Sequence, residues 1–333
     1  MFTRERCPVC DQTDVTVLDS ITPQALIEAY RSSGLVADIG HLFEAVHQVE
    51  PQPVQLCRCK RCTLKWYAQG PAGDAPFYEA LQQHDWYYQT DKPEHHYAAG
   101  RLPPQAQVLE VGCGSGAFAR HLGADVRYRG LEFNQTACAA ARAAGLDVEV
   151  RSLEDEVAQR PAAYDVVCHF QVLEHVTAPA VFLRQCAQAL RPGGLLVVAV
   201  PAEDSFYGRA ESVWLNMPPH HLTRWTDVAL ARAFEQSGIT PTHTWHEPVA
   251  DFHSSWQRAV AVRAGFQHLL GREPELVTSA SAQKLMNLLR RVPGLNDWLF
   301  ARALSAYPEM TRGSTVCMFG TKDAPASANA RAT

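Results

Sequence analysis

The 333-residue chain carries 30 Lys+Arg against 35 Asp+Glu, a net charge of −5, and is 47% apolar. It is longer than one average domain and lacks the basic excess of a nucleic-acid or anionic-membrane binder. No apolar run nears the roughly 18 residues that span a bilayer, and MFTRERCPVC has no apolar signal core. A cytoplasmic protein is therefore expected, with its ten cysteines as thiols or metal ligands.

Residues 1–70 read as an N-terminal module. CPVC, with Cys7 and Cys10, and CKRC, with Cys59 and Cys62, are two C-x2-C knuckles. Each turns two thiolates to one side, and together they complete a closed tetrahedral zinc site. Two alternatives stay open: buried free thiols, and Cys57 in place of Cys59. Helices near Pro23 to Arg31 and Ile39 to Gln48 fill the interval. Residues 71–104, with Tyr78, Trp86, Tyr87, Tyr88 and Tyr97, read as an aromatic connecting arm with one or two helices.

Over residues 105–250 short apolar runs alternate with helical patterns. QVLEVG, YRGLEF, DVEVRS, AYDVVCHF and LLVVAVP read as strands. AFARHLGA, QTACAAARAAG and APAVFLRQCAQALRPGG read as helices, the last stopped by its Pro-Gly-Gly. Such alternation predicts an α/β fold, a parallel sheet with helices on both faces. A helix from Thr226 to Ser237, stopped by Gly238, and a strand ITPTHTW follow. Residues 251–312, including QKLMNLLRRV, read as a helical insertion capping a substrate; 313–323, with STVCMFGTK, as the last strand; and 324–333 as a disordered tail.

VLEVGCGSG follows a strand and opens a helix. Gly112, Gly114 and Gly116 allow a tight turn and close approach to a ligand, as dinucleotide sites and plain strand-to-helix turns also require. Glu110 lies inside the strand and needs a partner, which an amino acid's ammonium group would supply. Glu132, in GLEFN, ends the next strand, where an acid accepts both ribose hydroxyls. Glu154, in SLED, either meets an adenine amino group or is a helix N-terminal charge.

VLEVGCGSG, GLEFN, YDVVCHFQVLEHV and ALRPGGLLVVAVP, in that order and spacing, resemble class I S-adenosylmethionine-dependent methyltransferases over about residues 85–250. The resemblance implies a Rossmann-like class I sheet with S-adenosylmethionine as cofactor. Glu110, Gly112, Cys113, Gly114 and Gly116 then surround the methionine moiety. Glu132 matches the ribose acid, Phe133 lies beside adenine, Leu153 and Glu154 meet its edge, and Phe170 and Gln171 flank the sulfonium. FQVLEH replaces an Asn-Pro-Pro-Tyr type tetrad and no Pro-Cys nucleophile matches, which disfavours DNA adenine and cytosine C5 methylation. The cysteine-rich start is similar to a zinc-binding domain found ahead of methyltransferase domains in sugar C-methyltransferases and in enzymes of polysaccharide or natural-product clusters. It implies structural Zn2+, although the long C-terminal domain of those sugar enzymes is not recognisable in residues 250–333.

Methyl transfer is an in-line displacement, so the protein aligns the acceptor and removes water. A hydroxyl acceptor also needs a base, and histidine suits that role at neutral pH. Candidates are His169, His175, His220 and His221. The last two, in NMPPHHLTRWT, follow the fifth strand at the sheet's carboxyl edge, where open α/β sheets bind ligands. Adjacent residues on an extended loop point apart, so one of His220 and His221 is expected to face the acceptor and the other to hold the loop. Packing remains the alternative for both, and orientation or packing for His175. Phe206, Tyr207, Trp214 and Met217 are candidate walls, and Cys138, Cys168, Cys186 and Cys317 are read as packing.

The expected function is methylation of a small-molecule acceptor, on oxygen of a natural product or sugar, in biosynthesis. Carbon methylation of a nucleotide-linked keto sugar is the first alternative. An RNA- or protein-modifying methyltransferase using the zinc module as an adaptor is the second. Neither nucleic acid nor membrane is an expected partner, and oligomeric state stays open, a homodimer included.

Overall fold

The structure is a computed structural model that describes residues 1–46, 52–84, 87, 90–289 and 292–323. Trp86, Tyr88, the last turn expected after Val46, the Arg290–Arg291 pair of QKLMNLLRRV and the expected disordered tail lie outside the described residues.

The chain opens with β1 (Val15–Ile21), α1 (Pro23–Ser33), α2 (Gly40–Val46), β2 (Val54–Cys59) and β3 (Lys65–Ala68). Thr22 starts α1 by accepting from Ala25 N at 3.2 Å, and Gly34, left-handed at φ 71°, ends it. The arm contributes α3 (Ala75–Leu81) and α4 (Pro93–Ala99). Then come β4 (Gln107–Val111), β5 (Arg127–Leu131), α5 (Gln135–Ala143), β6 (Val148–Glu149), α6 (Leu153–Gln159), β7 (Tyr164–Phe170), α7 (Pro179–Ala189) and β8 (Leu190–Pro201). The remainder is β9 (Thr223–Arg224), α8 (Asp227–Gln236), β10 (Ile239–Pro248), α9 (Ser254–Leu269), α10 (Ala280–Leu289), α11 (Leu295–Ala306) and β11 (Arg312–Lys322).

The main sheet runs β10-β11-β8-β7-β4-β5-β6. Strands β8, β7, β4, β5 and β6 pair in parallel, while β11 is antiparallel to both neighbours. The chain winds outward from β4 through β5 to β6, then restarts on the other side with β7 and β8. The carboxyl ends of β4 and β7 therefore splay their loops apart, opening the crevice where such sheets bind ligands. Val108, Leu109, Val166, Val167, Val197 and Val198 are fully buried, as strands covered on both faces require.

Three expectations are corrected. AFARHLGA forms only a single 3₁₀ turn, Phe118–His121, because Phe118 is its one buried anchor and Leu122 is already extended at ψ 146°. Helix α7 stops at Ala189 rather than at Pro-Gly-Gly; Leu190 is extended and pairs with Tyr164, and Arg191 to Gly194 bulge out before Leu195 rejoins Val166. DVEVRS keeps only the two-residue edge strand β6.

The N-terminal residues do not form a separate body. Their sheet runs β1-β2-β3-β9, and β9 comes from the loop after β8, with Trp66 opposite Thr223 and Lys65 opposite Arg224. Glu203 holds the junction, accepting from Lys65 Nζ at 2.5 Å and Arg224 Nε at 2.7 Å. Burial works against the Glu203 carboxylate, but Arg224 and Lys65 outweigh it and hold its pKa below the usual value. In the helical insertion α9 lies tightly on α11: a Cβ on Gly265 would sit 2.2 Å from the Leu299 carbonyl oxygen.

Candidate active site

The loop after β4 is shaped by its glycines. Gly112 has φ 72° and a Cβ there would lie 2.6 Å from Val172; Gly116 has φ 78° and a Cβ there would lie 2.2 Å from Leu146. Gly114 is also left-handed, at φ 54°. Cys113 is buried beside Cys138, Ala141 and Val148, so its backbone rather than its thiol belongs to the loop. Glu132 crosses the loop mouth, accepting from Gly114 N at 2.9 Å and Asn134 N at 2.8 Å. Beside it Phe133 is 73% exposed, an aromatic face available for stacking.

Glu110 has a partner that sequence reasoning missed. Tyr128 of β5 donates to Glu110 Oε2 at 2.6 Å. Burial still dominates and pushes the Glu110 carboxyl up to about 8. Register is the overlooked signal: Glu110 lies opposite Gly130, so Tyr128 is two residues away on the neighbouring strand and can reach over the absent side chain. Leu153 is buried at the first turn of α6, which Ser152 caps, and Glu154 is exposed beside it.

Beyond β7, Phe170 turns inward, its ring centroid 4.7 Å from His95 and 4.6 Å from Phe118. Only its backbone can flank a ligand. Gln171 is left-handed at φ 57° and donates to the buried Glu94 of α4 at 3.2 Å, a second residue that sequence reasoning missed. His169 is fully buried, packed 5.1 Å from Phe182, and both ring nitrogens lack a hydrogen-bond partner among the described residues. It takes no part in the histidine cluster.

His175, His220 and His221 converge. Residues 218–220 form a turn in which His220 N and His221 N both donate to Met217 O at 3.1 Å. The two rings consequently stack at 4.5 Å and 20° instead of pointing apart, which corrects the extended-loop expectation. His175 closes the group with centroids 4.6 Å from His220 and 5.0 Å from His221. Burial pushes the pKa of His175 down to about 4 and those of His220 and His221 well below the ordinary value, so all three rings are neutral. Between them lies the 1%-exposed Glu174, also missed, whose carboxyl burial pushes up to about 8. Its signal was an acid wedged between Leu173 and His175 directly after an apolar strand.

The aromatic arm covers this group. Tyr78 OH lies 3.4 Å from His175 Nδ1, and Tyr87 OH lies 3.4 Å from His220 Nε2. The N-terminal residues hold the turn from behind: Tyr30 OH donates to Trp214 O at 2.9 Å and Tyr67 OH to Asn216 O at 2.7 Å. Of the candidate walls, Trp214 and Met217 pack with Tyr30 and Tyr67, whereas Phe206 packs on Trp256 of the insertion and Tyr207 has its ring 5.9 Å from the same tryptophan.

The four knuckle cysteines also meet. Cys7 Sγ is 3.5 Å from Cys62 Sγ, and Cys10 Sγ is 3.5 Å from both Cys59 and Cys62. That exceeds a disulfide's roughly 2.05 Å and approaches the roughly 3.8 Å edge of a tetrahedron with Zn–S near 2.3 Å. The cluster includes Cys59, whereas Cys57 stands apart, two residues along β2. Cys138, Cys168, Cys186 and Cys317 are buried packing groups, as expected.

Residues 83–244 match the family model described as "Methyltransferase domain". The chain is 34% identical over 149 residues to a protein of Mycolicibacterium smegmatis named "Probable S-adenosylmethionine-dependent methyltransferase", covering 43% of this chain and 54% of that one. It is 39% identical over 114 residues to "Ubiquinone biosynthesis O-methyltransferase" of Xanthomonas campestris pv. campestris, covering 31% of this chain and 46% of that one. The chain thus spans about half the length of the curated relatives it matches. A solved S-adenosylmethionine-dependent methyltransferase from Mesorhizobium loti overlaps 70% of this chain and all of its own, at 17% identity and a TM-score of 0.43. No described helix is long and apolar enough to cross a membrane. Residues 83–244, which hold Glu110, the glycine loop and Glu132, are a methyltransferase domain with the class I, Rossmann-like fold.

Proposed function

We propose that the chain methylates a small-molecule acceptor on oxygen, using S-adenosylmethionine, at the histidine cluster. The observation that carries this reading is the arm. Gln82, just past α3, accepts from Asn134 Nδ2 beside Glu132 at 2.7 Å, while Tyr78 and Tyr87 of the same arm reach His175 and His220. One segment therefore covers both the cofactor loop and the histidines.

The residues present fit the cofactor. The three left-handed glycines turn the chain tightly after β4 and leave backbone rather than side chains at the crevice; Glu132 lies across the loop mouth, Phe133 offers a stacking face, and Leu153 and Glu154 stand at the adenine edge. Glu110 lies at the methionine end with one oxygen, Oε2, held by Tyr128, and Gln171 stands past β7. Bound S-adenosylmethionine supplies an electrophilic methyl group. The chain's own part is to exclude water under the arm, align the acceptor and take its proton. His220 is placed for the proton transfer, although burial lowers its pKa and weakens it as a base: its Nδ1–H donates to Leu215 O at 2.9 Å and leaves Nε2 with a lone pair facing the Tyr87 hydroxyl. The O-methyltransferase name of the Xanthomonas relative supports oxygen as the acceptor atom; natural-product and sugar hydroxyls are the substrate class of this proposal.

Cys7, Cys10, Cys59 and Cys62 hold a structural zinc in this reading; a closed four-thiolate site has no open position and stays outside the chemistry. Isothermal titration of the zinc-replete chain with S-adenosylhomocysteine should show one site. Label transfer from methyl-labelled cofactor to a panel of hydroxylated small molecules should follow. Absence of cofactor binding would sink the proposal.

A further inference from the structure

We propose that Glu174, His175 and His221 form a divalent-cation site, distinct from the cysteine cluster, with His220 on its edge. Three independent features of the cluster point to it.

The first is spacing. Glu174 Oε1 is 3.7 Å from His175 Nε2 and 4.0 Å from His221 Nε2. These separations are too long for hydrogen bonds. Two donors sharing an ion at about 2.1 Å sit roughly 3.4 Å apart at tetrahedral angles, so the observed gaps would close by about 0.3 to 0.6 Å around an ion. One ligand atom from each of the three histidines also lies within 4.8 Å of the others.

The second is the orientation of the rings. His175 Nδ1 lies 2.6 Å from His220 O, His220 Nδ1 lies 2.9 Å from Leu215 O, and His221 Nδ1 lies 3.1 Å from Asn216 Oδ1. Carbonyl oxygens accept only, so each Nδ1 carries the hydrogen and each Nε2 keeps its lone pair. A carbonyl oxygen hydrogen-bonded to one ring nitrogen is the usual arrangement behind a histidine whose other nitrogen binds a metal.

The third is Glu174 itself. It is 1% exposed, and neither carboxylate oxygen has a hydrogen-bond partner among the described residues. An isolated buried carboxylate is costly, and a cation between it and two imidazoles removes the cost.

Two imidazoles and a carboxylate suit Mn2+, Fe2+ or Zn2+ and leave coordination positions open. An acceptor oxygen on one of them would yield its proton to His220 more readily. That step rests on the methyl-transfer reading; cation binding does not.

The test titrates MnCl2 into the full-length, zinc-replete chain and follows loss of the free Mn2+ resonance, with zinc counted by elemental analysis. The expected result is one Mn2+ per chain beside the zinc held by cysteine, or a second zinc that Mn2+ exchanges with. Glu174→Gln and His221→Ala should weaken this binding more than about tenfold, by loss of a ligand. Retained S-adenosylhomocysteine affinity in Glu174→Gln shows that the variant is folded. Wild-type protein with no second equivalent, or variants that bind Mn2+ like wild type, would overturn the site. Cofactor binding without the cation defeats this proposal alone; cation binding without cofactor defeats the methyl-transfer reading alone.

Discussion

Gln82 accepts a 2.7 Å hydrogen bond from Asn134, the residue that caps α5 and donates its own backbone N–H to Glu132. The bond fastens the aromatic arm to the loop that carries Glu132. Gln82→Ala removes one neutral hydrogen bond, worth about 1 kcal/mol. The expected outcome is a roughly fivefold weaker S-adenosylhomocysteine Kd by calorimetry. An unchanged Kd would show that the arm does not close on the cofactor.

If Glu110 meets the cofactor's ammonium group as proposed, cofactor affinity should depend on pH. The Glu110 carboxyl, pushed up to about 8 by burial, is protonated in the free protein at pH 7 and must ionise to face an ammonium group. Binding should therefore release a proton, and affinity should rise as pH climbs from 6 and level off above about 8. The sign follows from the raised pKa: the free state holds the proton that the complex gives up. Glu110→Gln should flatten the slope. A wild-type affinity that falls over this range would exclude the assignment.

His220→Ala should lower kcat by roughly 10²-fold or more, the usual contribution of a general base, while leaving the S-adenosylhomocysteine Kd within about twofold. A small loss of turnover would return His220 to packing.

Cys59→Ser should abolish stoichiometric zinc, whereas Cys57→Ser should keep it, because only Cys59 faces Cys10 and Cys62. Elemental analysis of the two purified variants decides between them. Equal retention would remove zinc from the cluster.

Glu203→Ala strips Lys65 and Arg224 of their shared, buried partner. Breaking such a pair commonly costs about 3–5 kcal/mol, so urea unfolding should show a markedly lower midpoint. A loss below about 1 kcal/mol would mean that water replaces the carboxylate.

The sheet and its glycine loop were legible because their signals are local. An apolar run, a turn-forming glycine and an acid at a strand end need no knowledge of distant residues. Glu110 was seen to require a partner, yet Tyr128 was invisible until β5 lay beside β4 in register. Glu174 and Glu94 became visible only when the arm and the turn at 218–220 folded onto the carboxyl end of β7. The histidine pair was found by position but misjudged in direction, since a turn stacks neighbours that an extended loop would separate. Where a helix rested on one apolar anchor, as at Phe118, propensity was overridden by the short span between β4 and β5.

The pairing of Trp66 with Thr223 gives the first seventy residues a role beyond stability. Thr223 is the second residue after His221, and Tyr30 and Tyr67 grip the backbone just before His220. The N-terminal segment is thus the back wall against which the histidine-bearing turn is cast. Deleting it would not leave a smaller working domain. Loss of the zinc proposed for the cysteine cluster, by loosening β2 and β3, would reach the histidines through a single shared strand.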